Sequence, residues 1–308
     1  MITFFGHINI DIHIYVDKLP VKGYTVNEKE RNTVIGGTAA NMAYMSSSLG
    51  IETALSSFTG KDFDEEILLQ SGLYADITKR DRTPSCLIFS DGDGNQSVVI
   101  SQGAMKGISS LSPSNNTLGI ISRSDIVHFG TGEWGYYEKI ARHIRENAGK
   151  RRKKVLIAFD PAQEIGLYTR EDIKKAFAIS DILFINNYEL KILLDTMKMK
   201  YDDIAKSFKI VVITKGSDGS TIITHDEKYD IPAFQPRKIV NTTGAGDAYR
   251  AGFYYGFLKS GDVRKAGTYG SALSSLVIEG EGIIGRKFDK GILEERVRNG
   301  YRKEYGDA

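Results

Sequence analysis

The sequence predicts an α/β protein built on a mostly parallel sheet with helices on both faces. Short, largely apolar runs alternate with longer amphipathic segments through most of the 308 residues, which is the spacing of strand–helix–strand units. Most of the runs are apolar at consecutive positions rather than at every second one, as expected of strands covered on both sides. Two stretches, Asp11–Val34 and Pro84–Gly103, carry β-rich pieces with no helix between them and point to a small sheet beside the main one.

Taken in order, the strands are Ile2–Phe5, Thr53–Phe58, Ile126–Phe129, Val155–Phe159, Ile182–Ile185 and Ile210–Ile213. The helical segments between them are Thr38–Leu49, Phe63–Ser71, Tyr136–Ala148, Glu171–Ala178 and Tyr188–Met197. Gly244–Lys259 and Arg264–Glu279 read as two long apolar helices, and Glu294–Tyr305 as a charged one that ends the pattern. Asp91–Asn95 (DGDGN) separates CLIFS from QSVVIS, a hairpin signature. There is no internal repeat and no Pro/Gly-rich linker. Residues 1–308 therefore read as a single α/β domain, with a β appendage at about 11–34 and 84–104.

Composition narrows the function classes. Lys plus Arg number 41 against 39 for Asp plus Glu, so no global field steers the chain onto nucleic acid or an anionic membrane. Cys86 is the sole cysteine, which excludes an intramolecular disulfide and a multi-cysteine zinc site. The start, MITFFGHINI, lacks the pattern of a signal peptide, and no run approaches the ~18 apolar residues of a membrane span. The expectation is a cytoplasmic protein with a small-molecule substrate.

The most informative segment is NTTGAGDAYRAGF, Asn241 to Phe253. Gly244, Ala245 and Gly246 stand at the mouth of a long apolar helix, where free backbone N–H groups and the helix dipole favour an anion. Asp247 follows in the first turn. A carboxylate aimed at an anion site is unfavourable unless it handles a proton, so a general base for a hydroxyl is its natural role. Taken alone, the same residues also describe a tight turn followed by an ordinary first-turn acid.

The whole string resembles the C-terminal signature of the ribokinase-like (PfkB) kinases of sugars and nucleosides, DTTGAGD followed by an aromatic residue and AG. Further matches fall in the family's order. GHINIDI carries Asn9 and Asp11, similar to the GxxNxD element that grips substrate hydroxyls. GGTAANMA carries Gly36, Gly37 and Asn41, similar to the GGxxxN signature. NNYEL supplies Asn186 and Glu189, like the NxxE element that organises magnesium and phosphates. TKGSDG supplies Thr214, Lys215, Gly216 and Gly219, like the turn that lines the nucleotide.

The resemblance implies a ribokinase-like three-layer sandwich with a mostly parallel central sheet and a small β-sheet lid. It implies transfer of the γ-phosphoryl group of ATP to a hydroxyl, with Asp247 as base, Gly244, Ala245 and Gly246 stabilising the transferring group, and Mg2+ near Asn186 and Glu189. It also implies a homodimer made through the lids. Two positions depart from the pattern. Asn241 replaces the aspartate that usually opens the signature, which puts potassium activation in doubt, and Tyr249 replaces a phenylalanine.

YRAGF, VHFGTGE and FDPAQEIGLYTRE further resemble compact archaeal nucleoside kinases of broad specificity, which makes the 5′-hydroxyl of a nucleoside the expected acceptor. Gln102, Asp160 and Gln163 join Asn9, Asp11, Gly36, Gly37 and Asn41 as expected substrate contacts. Ribokinase or another sugar kinase is the alternative within the family. A different class is also open: Gly130–Gly135 (GTGEWG) fits GxGxxG after a strand, and Asp160 ends the next strand, as in an NAD(P)-dependent oxidoreductase. That unit begins mid-chain and its acid lies farther on than the usual ~20 residues.

Overall fold

In the computed structural model the described residues are 1–93, 95–150 and 153–305, with the side chains of 150 and 301–305 excepted. Position 94 of the hairpin turn and residues 151 and 152 of the basic run 150–154 lie outside them.

The chain runs β1 (Ile2–Phe5), β2 (Asn9–Val16), β3 (Glu28–Gly36), α1 (Thr38–Ser48), β4 (Thr53–Thr59), α2 (Glu66–Leu69), β5 (Tyr74–Lys79), β6 (Ser85–Ser90) and β7 (Gln96–Ser101). It continues with α3 (Asn115–Arg123), β8 (Ile126–Phe129), α4 (Trp134–Glu146), β9 (Leu156–Phe159), α5 (Arg170–Ile179), β10 (Ile182–Asn186), α6 (Asn187–Met197) and α7 (Tyr201–Ser207). β11 (Ile210–Thr214), β12 (Ser220–Thr224), β13 (Lys228–Ile231), α8 (Ala245–Ser260), α9 (Val263–Val277) and α10 (Lys290–Tyr305) complete it.

The large sheet has the order β13-β12-β11-β10-β9-β8-β1-β4-β5. Strands β5 to β11 in that order run parallel, and β12 and β13 are added antiparallel. One face packs on α1, α8, α9 and α10, with Phe184, Phe253 and Leu273 at its centre. The other packs on α4, α5 and α6 around Phe129, Trp134 and Phe159. This is the ribokinase-like α/β sandwich.

Strand order reverses between β1 and β8, so the crevice beyond their carboxyl ends is where an open α/β sheet binds ligand. The small sheet, β3-β2-β6-β7, grows from that point, because β2 starts four residues after β1 ends. In it β2 pairs parallel to β6 and antiparallel to β3.

Several elements differ from the sequence expectation. Phe63–Ser71 contains only the single turn α2, because Asp62 and Asp64 hydrogen-bond backbone N–H groups and hold an irregular loop ahead of it. β9 starts at Leu156 rather than Val155, and α10 begins at Lys290 rather than Glu294. β5, β12, β13, α3 and α7 were not expected. β5 and β13 are edge strands and α3 and α7 lie on the surface, so their sequences mix polar and apolar residues; β12 is buried between β11 and β13, and its Ser220, Thr221 and Thr224 break up the apolar run.

Helices α8 and α9 approach closely because glycines line the seam. A Cβ on Gly252 would lie 2.5 Å from the Tyr269 carbonyl oxygen and 2.9 Å from Gly270 Cα. Gly252→Ala is therefore expected to push α8 off α9 and lower the stability by about 1–3 kcal/mol, read from the midpoint of denaturant unfolding.

Candidate active site

The expected site residues come from several elements: Asn9 and Asp11 lie on β2 of the small sheet, Asn41 on α1 and Asp247 on α8, and Asp160, Asn186 and Thr214 stand at the carboxyl ends of β9, β10 and β11. Gly244 begins α8 with φ 81°, a left-handed conformation that suits glycine, and a Cβ there would meet Ile283 Cδ1 at 2.3 Å. No side chain caps this helix start; the Ala245 N–H donates to the Thr242 carbonyl at 3.2 Å, and the next N–H groups, of Gly246 and Asp247, are left for a ligand. Asn241 shapes the approach by accepting from the Thr243 N–H at 2.8 Å, and Ser274 donates to the Ala245 carbonyl at 2.7 Å.

Asp247 sits in that first turn, buried, with Oδ2 accepting from Asn41 Nδ2 at 2.8 Å. Burial lifts its carboxyl to about 7; the Asn41 bond and the Arg250 charge oppose the rise, and Asp160 and Asp11 add to it. A group ionising there is half-charged near neutral pH and can take a proton from an alcohol held against it. The Asn41 Oδ1 atom is buried without a partner, as is Oδ1 of Asn9 at the start of β2. Buried polar atoms in a native site usually have partners, so both are available to a ligand's hydroxyls.

Asp11, on β2, lies against Gly36 so closely that a Cβ on Gly36 would fall 2.0 Å from its Oδ2. Glycine at 36 is what lets the carboxylate turn into the cleft, and burial raises Asp11 to about 6. Gly37 then begins α1 and sets Asn41 one turn on, through the Asn41 N–H to Gly37 carbonyl bond.

The remaining expected contacts are distributed unevenly. Gln102 is tied into the protein: its Oε1 accepts from His7 Nε2 at 2.6 Å and its Nε2 donates to Glu164 at 2.7 Å. Gln163 is exposed on the short turn Ala162–Leu167. Asp160 is 1 % exposed, with both oxygens on the Arg250 guanidinium and Oδ2 also 3.2 Å from His128 Nε2. That carboxylate lies beneath the cleft and is already paired. The dinucleotide alternative loses its acid by this pairing. It loses its glycine cradle too, because the Tyr137 hydroxyl fills the space over Gly132 and Ser109 that over Gly135.

On the other side of the Gly244 turn lies a cavity of about 400 Å3. Thr214, Gly216 and Gly219 line it, together with Gly246 and the apolar Phe234, Ile239 and Ile278. Lys215 is not in its wall and reaches Asp230 at 3.4 Å. Asn186 and Glu189 form a capping box on α6: Asn186 accepts from the N–H groups of Tyr188 and Glu189, and Glu189 accepts from the backbone and side-chain N–H of Asn186. Glu189 is buried, and that burial raises its pKa.

Arg250, His128, His7 and Glu164 were missed from sequence. The signal for one of them was present: Arg250 is the single charge within the apolar run AYRAGFYYGF, and a charge there must be paired.

Because folding raises Asp247 from the ordinary 3.8 to about 7, the folded chain binds that proton more tightly than the unfolded one. Stability from this group is present below about pH 4 and declines as pH rises toward 7. Asp247→Asn is expected to raise stability by about 1–4 kcal/mol at pH 8 and by little at pH 4, measured as unfolding free energy across that range.

The pfkB family carbohydrate kinase model matches residues 1–287. The nucleoside kinase of Methanocaldococcus jannaschii is 32 % identical over 290 residues, 91 % of each chain. Its crystal structure superposes with a TM-score of 0.84, covering 97 % of this chain and 98 % of that one. The ATP-dependent ribose-1-phosphate kinase of Halopiger xanaduensis is 30 % identical over 287 residues, 90 % of this chain and 91 % of its own. The chain is a member of the pfkB family of carbohydrate kinases, phosphotransferases that act on hydroxyl groups.

Proposed function

We propose that the chain is an ATP-dependent nucleoside kinase that phosphorylates the 5′-hydroxyl. One arrangement carries the proposal: buried Asp247 lies at an uncapped helix start, between a cavity of nucleotide size and a polar cleft of Asp11, Asn9 and Asn41. Asp11 and Asn41 hold the ribose hydroxyls, with Asn9, Gly36 and Gly37 beside them, so that the primary hydroxyl faces the Gly244 turn. As its oxygen bonds to the γ-phosphorus, its proton passes to Asp247. The bond from that phosphorus to the bridging oxygen breaks and ADP leaves. The N–H groups of the Gly244–Gly246 turn stabilise charge on the transferring group. Thr214, Gly216 and Gly219 wall the nucleotide, and Lys215 flanks its entrance. Gln163, exposed beyond β9, is the freer of the two glutamines to meet an acceptor, since Gln102 already bonds His7 and Glu164. Asp160 belongs to the support beneath the site.

Magnesium fits this donor set as an ion carried by phosphate and water. Among the described residues no group of three His, Cys, Asp or Glu could hold a metal directly, while Asn186 and Glu189 stand at the phosphate end with oxygens already in a capping box. They would hold the ion through its waters. Bound there, it neutralises the triphosphate.

The small sheet acts as the lid. Its edge strand β7 exposes Val98, Val99 and Ile100, an apolar edge that a second copy would cover. A cytoplasmic location is consistent with use of ATP; no helix among the described residues is long and apolar enough to cross a membrane.

ADP release with Mg-ATP is to be measured over nucleosides, ribose, ribose 1-phosphate, fructose and fructose 6-phosphate. Turnover with nucleosides alone is expected, reduced about 10²–10⁴-fold in Asp247→Asn. Turnover with a sugar or sugar phosphate alone contradicts the acceptor assignment. Light scattering is expected to give a dimer mass that falls to the monomer in Val99→Lys; a monomeric wild type contradicts the lid contact.

A further inference from the structure

Beneath the Gly244 turn lies a buried charge cluster that the proposed reaction does not itself use. Arg250 is one turn along α8 from Asp247 and 5 % exposed. Its Nη1 donates to the Gly246 carbonyl at 3.0 Å, its Nη2 to Asp160 Oδ1 at 2.7 Å, and its Nε to Asp160 Oδ2. The guanidinium stacks 5.7 Å from the Phe184 ring centroid on β10. Asp160 directly follows β9, and its backbone N–H donates to the Phe129 carbonyl at the end of β8. His128 of β8 lies against Asp160 and bonds Tyr254 of α8 through Nδ1 at 2.8 Å. Burial lowers His128 against the pull of Asp160, and this disfavours a second cation beside Arg250.

A buried arginine paired by two N–H···O bonds to one carboxylate is fixed in orientation as well as charge. Here it spans the turn that begins α8 and the ends of β8 and β9. It is also the cation shared by carboxylates from three elements: Asp160 after β9, Asp247 on α8 and Glu189 on α6 all interact with its charge. Asp11 of β2 and Asn41 of α1 face Asp247 from the other side. Resting on the kinase reading above, we propose that Arg250 is a positioning residue for phosphoryl transfer. With Asp160 it sets the Gly244–Gly246 turn and Asp247 against the sheet, and its fixed positive charge favours the ionised form of Asp247.

The two partners act on Asp247 with opposite sign, and a merely structural pair would not. Removing the cation in Arg250→Met leaves Asp160 and Glu189 uncompensated, so ionisation of Asp247 moves to higher pH. Removing the anion in Asp160→Asn releases the Arg250 charge, so it moves to lower pH. Arg250→Lys keeps the charge and loses the two-point geometry.

The test is the pH–kcat profile of these variants with an acceptor that the wild type phosphorylates. The acidic limb is expected to rise by about one pH unit in Arg250→Met, fall in Asp160→Asn, and stay near wild type in Arg250→Lys. In Arg250→Lys kcat is expected to fall at least tenfold, with the acceptor KM changed less than threefold. If Arg250→Met does not fold, Arg250→Met/Asp160→Asn removes the pair without orphaning a charge. That double variant is expected to fold, with a limb near wild type and a reduced kcat. Limbs that move in the same direction in Arg250→Met and Asp160→Asn, or a double variant with wild-type kcat, overturn the proposal. If the wild type phosphorylates no acceptor, the kinase reading alone fails. The order of the limbs is then read from infrared titration of the Asp247 carboxyl, which needs no substrate.

Discussion

Burying a carboxylate at the mouth of a helix is the constraint on which the rest of the molecule depends. Asp247 loses hydration where backbone N–H groups gather an anion, and its carboxyl rises to about 7. An isolated ionised carboxylate in such a place would be prohibitive. Asn41 from α1 and the Arg250 charge from one turn along α8 offset the penalty without removing it. The result is a group close enough to neutrality to exchange a proton at physiological pH.

The surrounding fold is arranged to keep that group dry and still. The seam of α8 and α9 is tight at Gly252 and Gly256, which holds the helix on the face of the sheet. Asp160 fixes Arg250 from the end of β9, with its own carboxyl held below the usual range: burial would raise it, and the Arg250 charge outweighs that. Buried ion pairs add little net stability, and their value here lies in orientation. On the opposite side Gly36 lets Asp11 approach, and burial leaves that carboxyl also poised, at about 6. Two carboxylates raised within one cleft are the pattern that active sites favour, and they support the proposed reaction.

Much of this was legible in the sequence, for identifiable reasons. The apolar runs Val155–Phe159 and Ile210–Ile213 register as strands because both faces are covered. The glycines before Asp247 register as the turn that opens α8 because helix starts have fixed chemistry. The peripheral elements β13 and α7 did not register, since a surface covered on one side mixes polar and apolar residues, and β12 did not because hydroxyl residues interrupt its short apolar run. GTGEWG read as a dinucleotide turn, and only the packing of Tyr137 over Gly132 shows that its cradle is full. Asp160 was visible as a polar residue at a strand end. Its partner lies 90 positions along the chain, and no local pattern announces a pairing of that range. Gln102 likewise looks like a surface glutamine in sequence, yet it bridges His7 and Glu164.

The account turns on the ionisation of one group, and that can be observed directly. The measurement is the infrared absorption of the Asp247 carboxyl in the wild-type protein, taken as the difference from Asp247→Asn and followed from pH 4 to 9. A midpoint close to 7 is predicted, the value set by its burial against Asn41 and Arg250. A midpoint near 4 would show an ordinary solvated carboxylate, and the buried base at the helix mouth would be contradicted.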